Sequence, residues 1–403
     1  MMICARHRER GGSVRIVVVG AGIVGAAAAY ELARAGAETV LVDAAHEGRA
    51  TSAGAGIICP WTNRDKDPLA TTGAAHYPEL LAALAEDGQG DVGYRKVGAL
   101  VLLPQDAAEA ARVRDRVTAH VAAAAPHAGE VTTVDAAEAR RLFPALAPGD
   151  GHPDGAAPPG AGHDGGFSGT ALHLSGAARL DGRSMRDALV AAAGRHGLRT
   201  VTGTAELEAD GGRVRGVRVA GELLGADAVV AAAGAWSPAL LEPHGVRVPV
   251  VPQRGQIVHL RLPGADTAHW PVVLPLTGHY LLTFDDSRVV VGATREEGTG
   301  FDHRVTAAGL AEVLGHALAV APGLATATHV ETRVGFRPAS PDGRPLLGAV
   351  PGLDGLVVAN GLGAEGLTAG PWTGTLAARL ALGRPVPLDL SPFAPDRPMT
   401  PAP

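Results

Sequence analysis

Cysteine is nearly missing: only Cys4 and Cys59 occur in the 403 residues. Cys4 falls in the charged segment 1–13, which is expected to be a disordered leader, so no structural disulfide is anticipated. A reducing cytoplasm is the expected compartment. The same segment carries Arg6, Arg8, Glu9 and Arg10 and lacks the apolar core of a secretion signal. Long hydrophobic runs are lacking too; residues 16–29 are too few to span a membrane and are interrupted by glycines. Positive charge is in deficit, with 35 Lys and Arg against 41 Asp and Glu and a net charge of −6. No basic stripe offers nucleic acid an electrostatic footprint. The 16 histidines show neither HxH nor HExxH spacing, so no metal site is expected. There is no GxSxG nucleophile turn and no internal repeat.

What is present is an ordinary globular composition, 46% apolar and 19% charged, on a chain long enough for two domains. Its richest segment is residues 14–43, VRIVVVGAGIVGAAAAYELARAGAETVLVD. Arg15–Val19 reads as a buried strand, residues 20–25 as a tight turn, residues 26–34 as a helix stopped by Gly36, and residues 39–42 as a second strand closed by Asp43. Gly20 permits the turn, Gly22 lets backbone approach a pyrophosphate, and Gly25 lets helix and strand pack closely. The helix N-terminus then presents unpaired N–H groups to phosphate. Asp43 is placed to accept ribose hydroxyls and would repel a 2′-phosphate. An adenine dinucleotide follows; this segment alone leaves FAD and NAD open.

Further along, helices are expected at residues 73–85, 106–125, 135–142, 182–196, 306–321 and 368–382. Strands are expected at 97–103, at 200–209 paired with 214–220, and at 227–232, 256–261, 280–284, 288–292, 328–334 and 355–359. Residues 148–166 are too rich in Gly and Pro for regular structure. Nucleotide-type helix and strand segments alternate with antiparallel ones, which implies two domains threaded by several crossings.

Three segments converge on one ligand: the first βαβ unit; residues 228–238, a buried strand ending in small residues; and residues 357–375, VVANGLGAEGLTAGPWTGT. The last is a strand running through three glycines into a helix, with Pro371 expected in the first turn. NAD needs one helix N-terminus for its pyrophosphate. A flavin benefits from a second, which stabilises the negative charge of its reduced ring.

These segments, with residues 50–57 (ATSAGAGI), 232–237 (AAGAWS), 252–256 (PQRGQ), 278–294 (GHYLLTFDDSRVVVGAT), 335–348 (GFRPASPDGRPLLG) and 360–368 (NGLGAEGLT), carry a resemblance. The chain resembles the D-amino-acid oxidase superfamily of FAD-dependent flavoproteins, nearest to its glycine oxidase, sarcosine oxidase and D-amino-acid dehydrogenase branch. The resemblance implies an α/β fold in which a GxGxxG-type, Rossmann-like FAD-binding domain is interleaved with a smaller antiparallel-sheet (α+β) substrate domain. Residues 14–94, 165–245 and 334–391 would form the first, residues 95–164 and 246–333 the second, and 392–403 a tail. It implies FAD as cofactor, an amine or amino-acid substrate, and O₂ or another electron acceptor. The reaction implied is hydride transfer from a Cα–H to flavin N5, giving an imine that hydrolyses. An FAD-dependent 2-hydroxy acid or polyol dehydrogenase, or a non-catalytic flavin-binding subunit, is the alternative. The C-terminal GD motif of flavin hydroxylases is absent, against a monooxygenase, and no cysteine follows Cys59 to form a C-terminal cysteinyl flavin link.

Residue by residue, the resemblance sets Ile23, Val24, Asp43, Ala44, Ala50, Thr51, Ser52, Ala55, Gly56 and Ile57 against the cofactor, with Gly20, Gly22 and Gly25. Ala205 would meet adenine through its backbone, with Ala233, Gly234 and Trp236 nearby. Leu362, Gly363, Ala364, Glu365, Gly366, Leu367 and Thr368 would line the flavin edge. Arg337 matches the arginine that clamps a substrate carboxylate, unless it serves an ion pair with Asp342 or Glu331; a planar guanidinium suits that clamp. Tyr280 matches a substrate-contacting tyrosine, unless its hydroxyl merely faces water. Trp61 and Gln256 are expected to complete the pocket. Where glycine oxidases carry a second arginine in the C-terminal flavin loop, this chain has Glu365, which would pair with a substrate ammonium, face solvent, or pair with a neighbouring Arg.

Overall fold

Two sheets organise the chain in a computed structural model that describes residues 13–146 and 169–400. The leader up to residue 12, with Cys4, and the Gly/Pro-rich stretch 148–166 lie outside the described residues, as do residues 401–403 of the tail.

The first sheet has six strands in the order Leu346–Ala349, Leu356–Asn360, Ala228–Ala231, Arg15–Val19, Glu38–Asp43, Arg199–Thr202. All neighbours are parallel except the Leu346–Ala349 pair. Ile16, Val17 and Val18 have no exposed surface, which is why this stretch reads as a continuous apolar run. Helices Ile23–Arg34 and Gly366–Ala381 lie against each other beside this sheet. Their contact is backbone-close: a Cβ on Gly374 would stand 2.4 Å from the Val24 carbonyl oxygen.

The second sheet has eight strands, ordered Thr328–Ala339, Val251–Arg261, Arg288–Gly292, Tyr280–Thr283, Val272–Leu274, Ala99–Leu102, Thr170–Leu174, Val131–Asp135. It is antiparallel apart from the Val272–Leu274 and Ala99–Leu102 pair. Helix Ala307–Val320 packs on it through buried Val313 and Ala317. The nucleotide-type sheet and the antiparallel sheet are thus threaded through each other.

Several boundaries differ from the sequence reading. The first helix begins at Ile23, so the last residues of the glycine motif are already helical. The expected strand 200–209 is two strands in two sheets. Arg199–Thr202 edges the parallel sheet, the Gly203 amide donates to the Asp43 carbonyl at 2.9 Å, and Ala205–Asp210 then joins a separate three-stranded sheet. Strands Val251–Arg261 and Thr328–Ala339 each run about twice the expected length because they pair along nearly their full extent. Thr170–Leu174, assigned above to the nucleotide portion, belongs to the eight-stranded sheet. The last helix starts at Gly366, so Pro371 is interior rather than in the first turn. Proline there removes the amide that would bond the Leu367 carbonyl; the Tyr77 hydroxyl donates to that oxygen instead.

Candidate active site

One cavity of about 1050 Å³ runs from the end of strand Arg15–Val19 to the face of the antiparallel sheet. At its first end the glycine turn is dictated by contact. A Cβ on Gly25 would stand 1.8 Å from the Gly20 carbonyl oxygen, and one on Gly20, at φ +103°, 2.4 Å from that of Ala232. Gly22 differs: its open side meets only Thr51 Oγ1, at 3.4 Å, and otherwise faces the cavity. Thr51 accepts the Ile23 amide at 3.0 Å, and no side chain caps Gly22 itself.

Asp43 is more occupied than the sequence suggests. Its Oδ2 accepts the Ala21 amide at 2.6 Å, and its Oδ1 accepts the Ala45 amide at 2.7 Å and Arg49 Nη1 at 3.1 Å. It therefore fixes the glycine turn while still facing the cavity. Ile23, Val24, Ala44, Ala50, Ala55, Gly56, Ile57, Ala205, Ala233, Gly234, Trp236 and the whole of 362–368 line the same space. Trp236 is stacked between His46 and Phe301, with centroids 4.8 and 4.9 Å away. Two expected residues do not line it. Gly25 is consumed by its contact with Gly20, and Ser52, whose backbone carbonyl accepts Arg183 Nε at 2.9 Å, is not on the cavity wall.

At the other end Tyr280, Arg337 and Glu365 come together around the cavity. Neither suggested ion pair for Arg337 exists: Asp342 is held by Arg397 at 3.0 Å and Glu331 by Arg333 at 2.5 Å. Arg337 Nη1 donates to the Thr294 carbonyl at 3.1 Å, and its guanidinium interacts with the Tyr280 hydroxyl. Burial lowers the Arg337 pKa and raises that of Tyr280. Glu365 accepts Asn63 Nδ2 at 3.1 Å, forms no ion pair with an arginine of the described residues, and is pushed by burial toward its neutral form.

Two lining expectations fail. Gln256 is fully buried within the fold, spending its amide on Glu296 and Thr306. Trp61 is buried against His120, its carbonyl 3.2 Å from the ring. Asn63 and Arg295 take their places on the wall. Arg295 directly follows the quoted segment 278–294, and only its position after a strand end could have flagged it. Among the described residues, no His, Cys, Asp and Glu cluster could hold a metal, and no helix is long and apolar enough to cross a membrane.

A protein-family model described as FAD dependent oxidoreductase (DAO) matches residues 15–380. The chain is 44% identical over 384 residues to the uncharacterized oxidoreductase YurR of Bacillus subtilis (strain 168), covering 94% of this chain and 98% of that protein. It is 34% identical to a glycine oxidase of Pseudomonas aeruginosa, covering 95% and 99%. Among solved structures, iminodiacetate oxidase (IdaA) from Chelativorans sp. BNC1 superposes with a TM-score of 0.87 at 45% identity, covering 94% of this chain and 99% of that one.

Proposed function

The chain belongs to the DAO family of FAD dependent oxidoreductases, and we propose that its substrate is an amino acid or secondary amine bearing a carboxylate. The observation that carries this is Arg337, a guanidinium on the cavity wall that no carboxylate of the described residues pairs. The names iminodiacetate oxidase and glycine oxidase both describe substrates with a carboxylate one carbon from nitrogen, which supports the reading.

The residues fit FAD. Gly22, Gly363 and Gly366 turn bare backbone to the cavity, and no atom stands within 4 Å of a Cβ built on the latter two. Two helix starts whose N-cap residues, Gly22 and Glu365, make no side-chain cap open on that space. Helix N-termini favour negative charge, so the first would hold the pyrophosphate and the second the electron-rich edge of the ring. Asp43 would meet the ribose. When bound, FAD is the two-electron acceptor for the C–H bond beside the amine nitrogen.

The protein's part is positioning and electrostatics. Arg337 would hold the carboxylate through two parallel N–H donors, fixing the neighbouring carbon's orientation. The Tyr280 hydroxyl steadies that guanidinium and can donate to the same carboxylate. Burial keeps this phenol protonated. Glu365, with Asn63 beside it, faces the amine side. The substrate loses a C–H hydrogen with its electron pair, and a proton from nitrogen, to become an imine. Water then adds to the imine carbon and expels the amine, leaving a keto or aldehyde acid.

The test is anaerobic bleaching of the purified yellow protein by a panel of primary amino acids, N-substituted glycines, simple amines and 2-hydroxy acids. Bleaching confined to amines that carry a carboxylate is expected. Bleaching by 2-hydroxy acids or carboxylate-free amines alone would overturn the assignment.

A further inference from the structure

We propose that Glu365 takes a proton from the substrate's ammonium group, freeing the nitrogen lone pair before the neighbouring C–H bond breaks. The inference rests on the amine-carboxylate reading above and assigns a step which that reading leaves open.

A carbon gives up hydride readily when the lone pair of the adjoining nitrogen can replace the lost bond, and aliphatic amines hold an extra proton near pH 7. Most titratable groups on the cavity wall are unsuited to remove it. Asp43, His46, Glu206 and His244 sit on segments at the glycine-turn end. His279 stacks on His316, with centroids 3.8 Å apart, and turns Nε2 to Glu312 at 3.4 Å. Cys59 and Tyr280 keep their own protons, each pushed up by burial. Glu365 remains.

Its position is fixed from two sides. The Glu365 amide donates to the Leu362 carbonyl at 2.9 Å, and Leu362 pairs with Ala339 at the end of the strand that carries Arg337. The turn with the carboxyl and the strand with the guanidinium therefore adjoin. They must, if one carbon bears both the amine and the carboxylate that they serve. From the other side Asn63, in the segment leading into helix Pro68–Glu86, donates to the carboxyl at 3.1 Å. Burial is the largest influence on Glu365 and raises its pKa, and Asp67 adds to that; Asn63, Thr368 and Arg295 oppose them. A carboxylate with a raised pKa is a stronger base than an exposed one, better matched to an ammonium.

In the step itself an N–H bond breaks, its electrons stay on nitrogen, and an O–H bond forms on Glu365. The C–H bond then breaks with its electron pair passing to the flavin, while the lone pair closes the C=N bond of a protonated imine. The proton on Glu365 returns to water after the product leaves.

The test follows flavin bleaching by an amine carboxylate across pH, with flavin absorbance as the check that each protein is loaded. In wild type kcat/KM is expected to change by less than about threefold between about pH 7 and 8, where the ammonium form dominates. Glu365→Gln must wait for free amine, so its value should fall roughly tenfold per pH unit below the ammonium's own pKa. Its loss should reach about a hundredfold near pH 7 and shrink to within about threefold once pH exceeds that pKa. Glu365→Asp should keep the wild-type profile at a lower rate. Binding is read separately with 2-aminoisobutyrate, which has no hydrogen beside nitrogen to lose, and with isobutyrate, which has no nitrogen. Wild type should bind the first about tenfold or more tightly, and Glu365→Gln should bring the two to within about threefold. A Glu365→Gln loss equal at every pH, equal weakening of both ligands, or a tenfold fall per pH unit in wild type overturns the inference. The amine-carboxylate reading fails differently: neither ligand binds and no amine carboxylate bleaches the flavin.

Discussion

Tyr77 donates its hydroxyl proton to the Leu367 carbonyl, the oxygen that Pro371 leaves without a helical partner. The relationship joins helix Pro68–Glu86 to the final helix just where that helix meets the cavity, since Leu367 lines the cavity. Gly73 makes the approach possible: a Cβ there would stand 2.6 Å from the Thr368 carbonyl oxygen. Tyr77→Phe keeps the ring and removes only the donor, leaving a buried carbonyl unpaired, which costs about 1–3 kcal/mol. The expected outcome is a lower melting temperature at unchanged substrate preference, measured by thermal unfolding of the FAD-saturated protein. An unchanged melting temperature would mean that water replaces the phenol.

A second prediction concerns acid. His259 is 3% exposed, neither of its ring nitrogens has a hydrogen-bond partner among the described residues, and it stands opposite Glu331 with Arg333 also nearby. Burial first, and Arg333 next, lower its pKa to about 4. A histidine with a depressed pKa stays neutral in the fold but protonates near 6.5 once unfolded. Folding stability from this site is therefore complete above about pH 6.5 and lost as pH falls toward 4. Replacing it with an uncharged side chain, His259→Gln, should flatten that part of the melting temperature profile. A variant as acid-sensitive as wild type between those limits would assign the effect elsewhere.

The glycine turn supports a third prediction. Gly25→Ala places a methyl group inside the Gly20 carbonyl, with no side chain able to yield. The first helix must shift, and the Ile23 amide leaves Thr51. FAD content of the purified variant should fall several-fold, whereas Gly36→Ala, at a position with nothing within 4 Å, should retain it. Because φ at Gly36 is +81°, that control is expected to lose a little stability. Equal FAD content in the two variants would detach the motif from cofactor binding.

Local pattern carried the nucleotide-type sheet and failed where long-range pairing decides. Val17, buried on both faces, announces itself as a core strand, and the contact between Gly20 and Gly25 is written in their spacing. The split at Gly203 is not, because Thr200–Ala209 has no local break strong enough to reveal that its halves join different sheets. In the site, Arg337, Tyr280 and Glu365 are legible through the resemblance of their surrounding segments. Arg295 is not, since two acids follow it directly and the sequence cannot show that Arg254 and Gln253 have taken them. Gln256 errs the other way: polar and inside a quoted segment, it proves to be a buried strut.

Cys59 lines the cavity beside Glu365. Burial, and secondarily the Glu365 charge, push its thiol up to about 12. The reactive thiolate is then scarce at neutral pH, and FAD should be held without a covalent bond. Acid precipitation should leave the yellow colour in the supernatant. Colour kept in the pellet and lost from it in Cys59→Ser would reverse that conclusion.

The prediction on which the substrate assignment stands concerns Arg337. Removing one partner of a buried, doubly hydrogen-bonded charge pair typically costs about 3–5 kcal/mol, so Arg337→Ala should lower kcat/KM for an amine carboxylate by hundreds-fold or more. Arg337→Lys should restore only part, because an ammonium offers no planar fork. FAD content should remain near wild type in both, since Arg337 sits with Tyr280 on the antiparallel sheet, away from the glycine turn. The Thr294 carbonyl loses its donor in either variant, so a small stability loss is expected and is measured separately by thermal unfolding. The decisive comparison pairs each amine carboxylate with its amide or ester. If Arg337 binds the carboxylate, wild type discriminates strongly between the two and Arg337→Ala does not. If the variant loses equally on both, Arg337 serves only to hold Tyr280 and strand Thr328–Ala339, and the cavity must recognise its substrate through Glu365 and the amine.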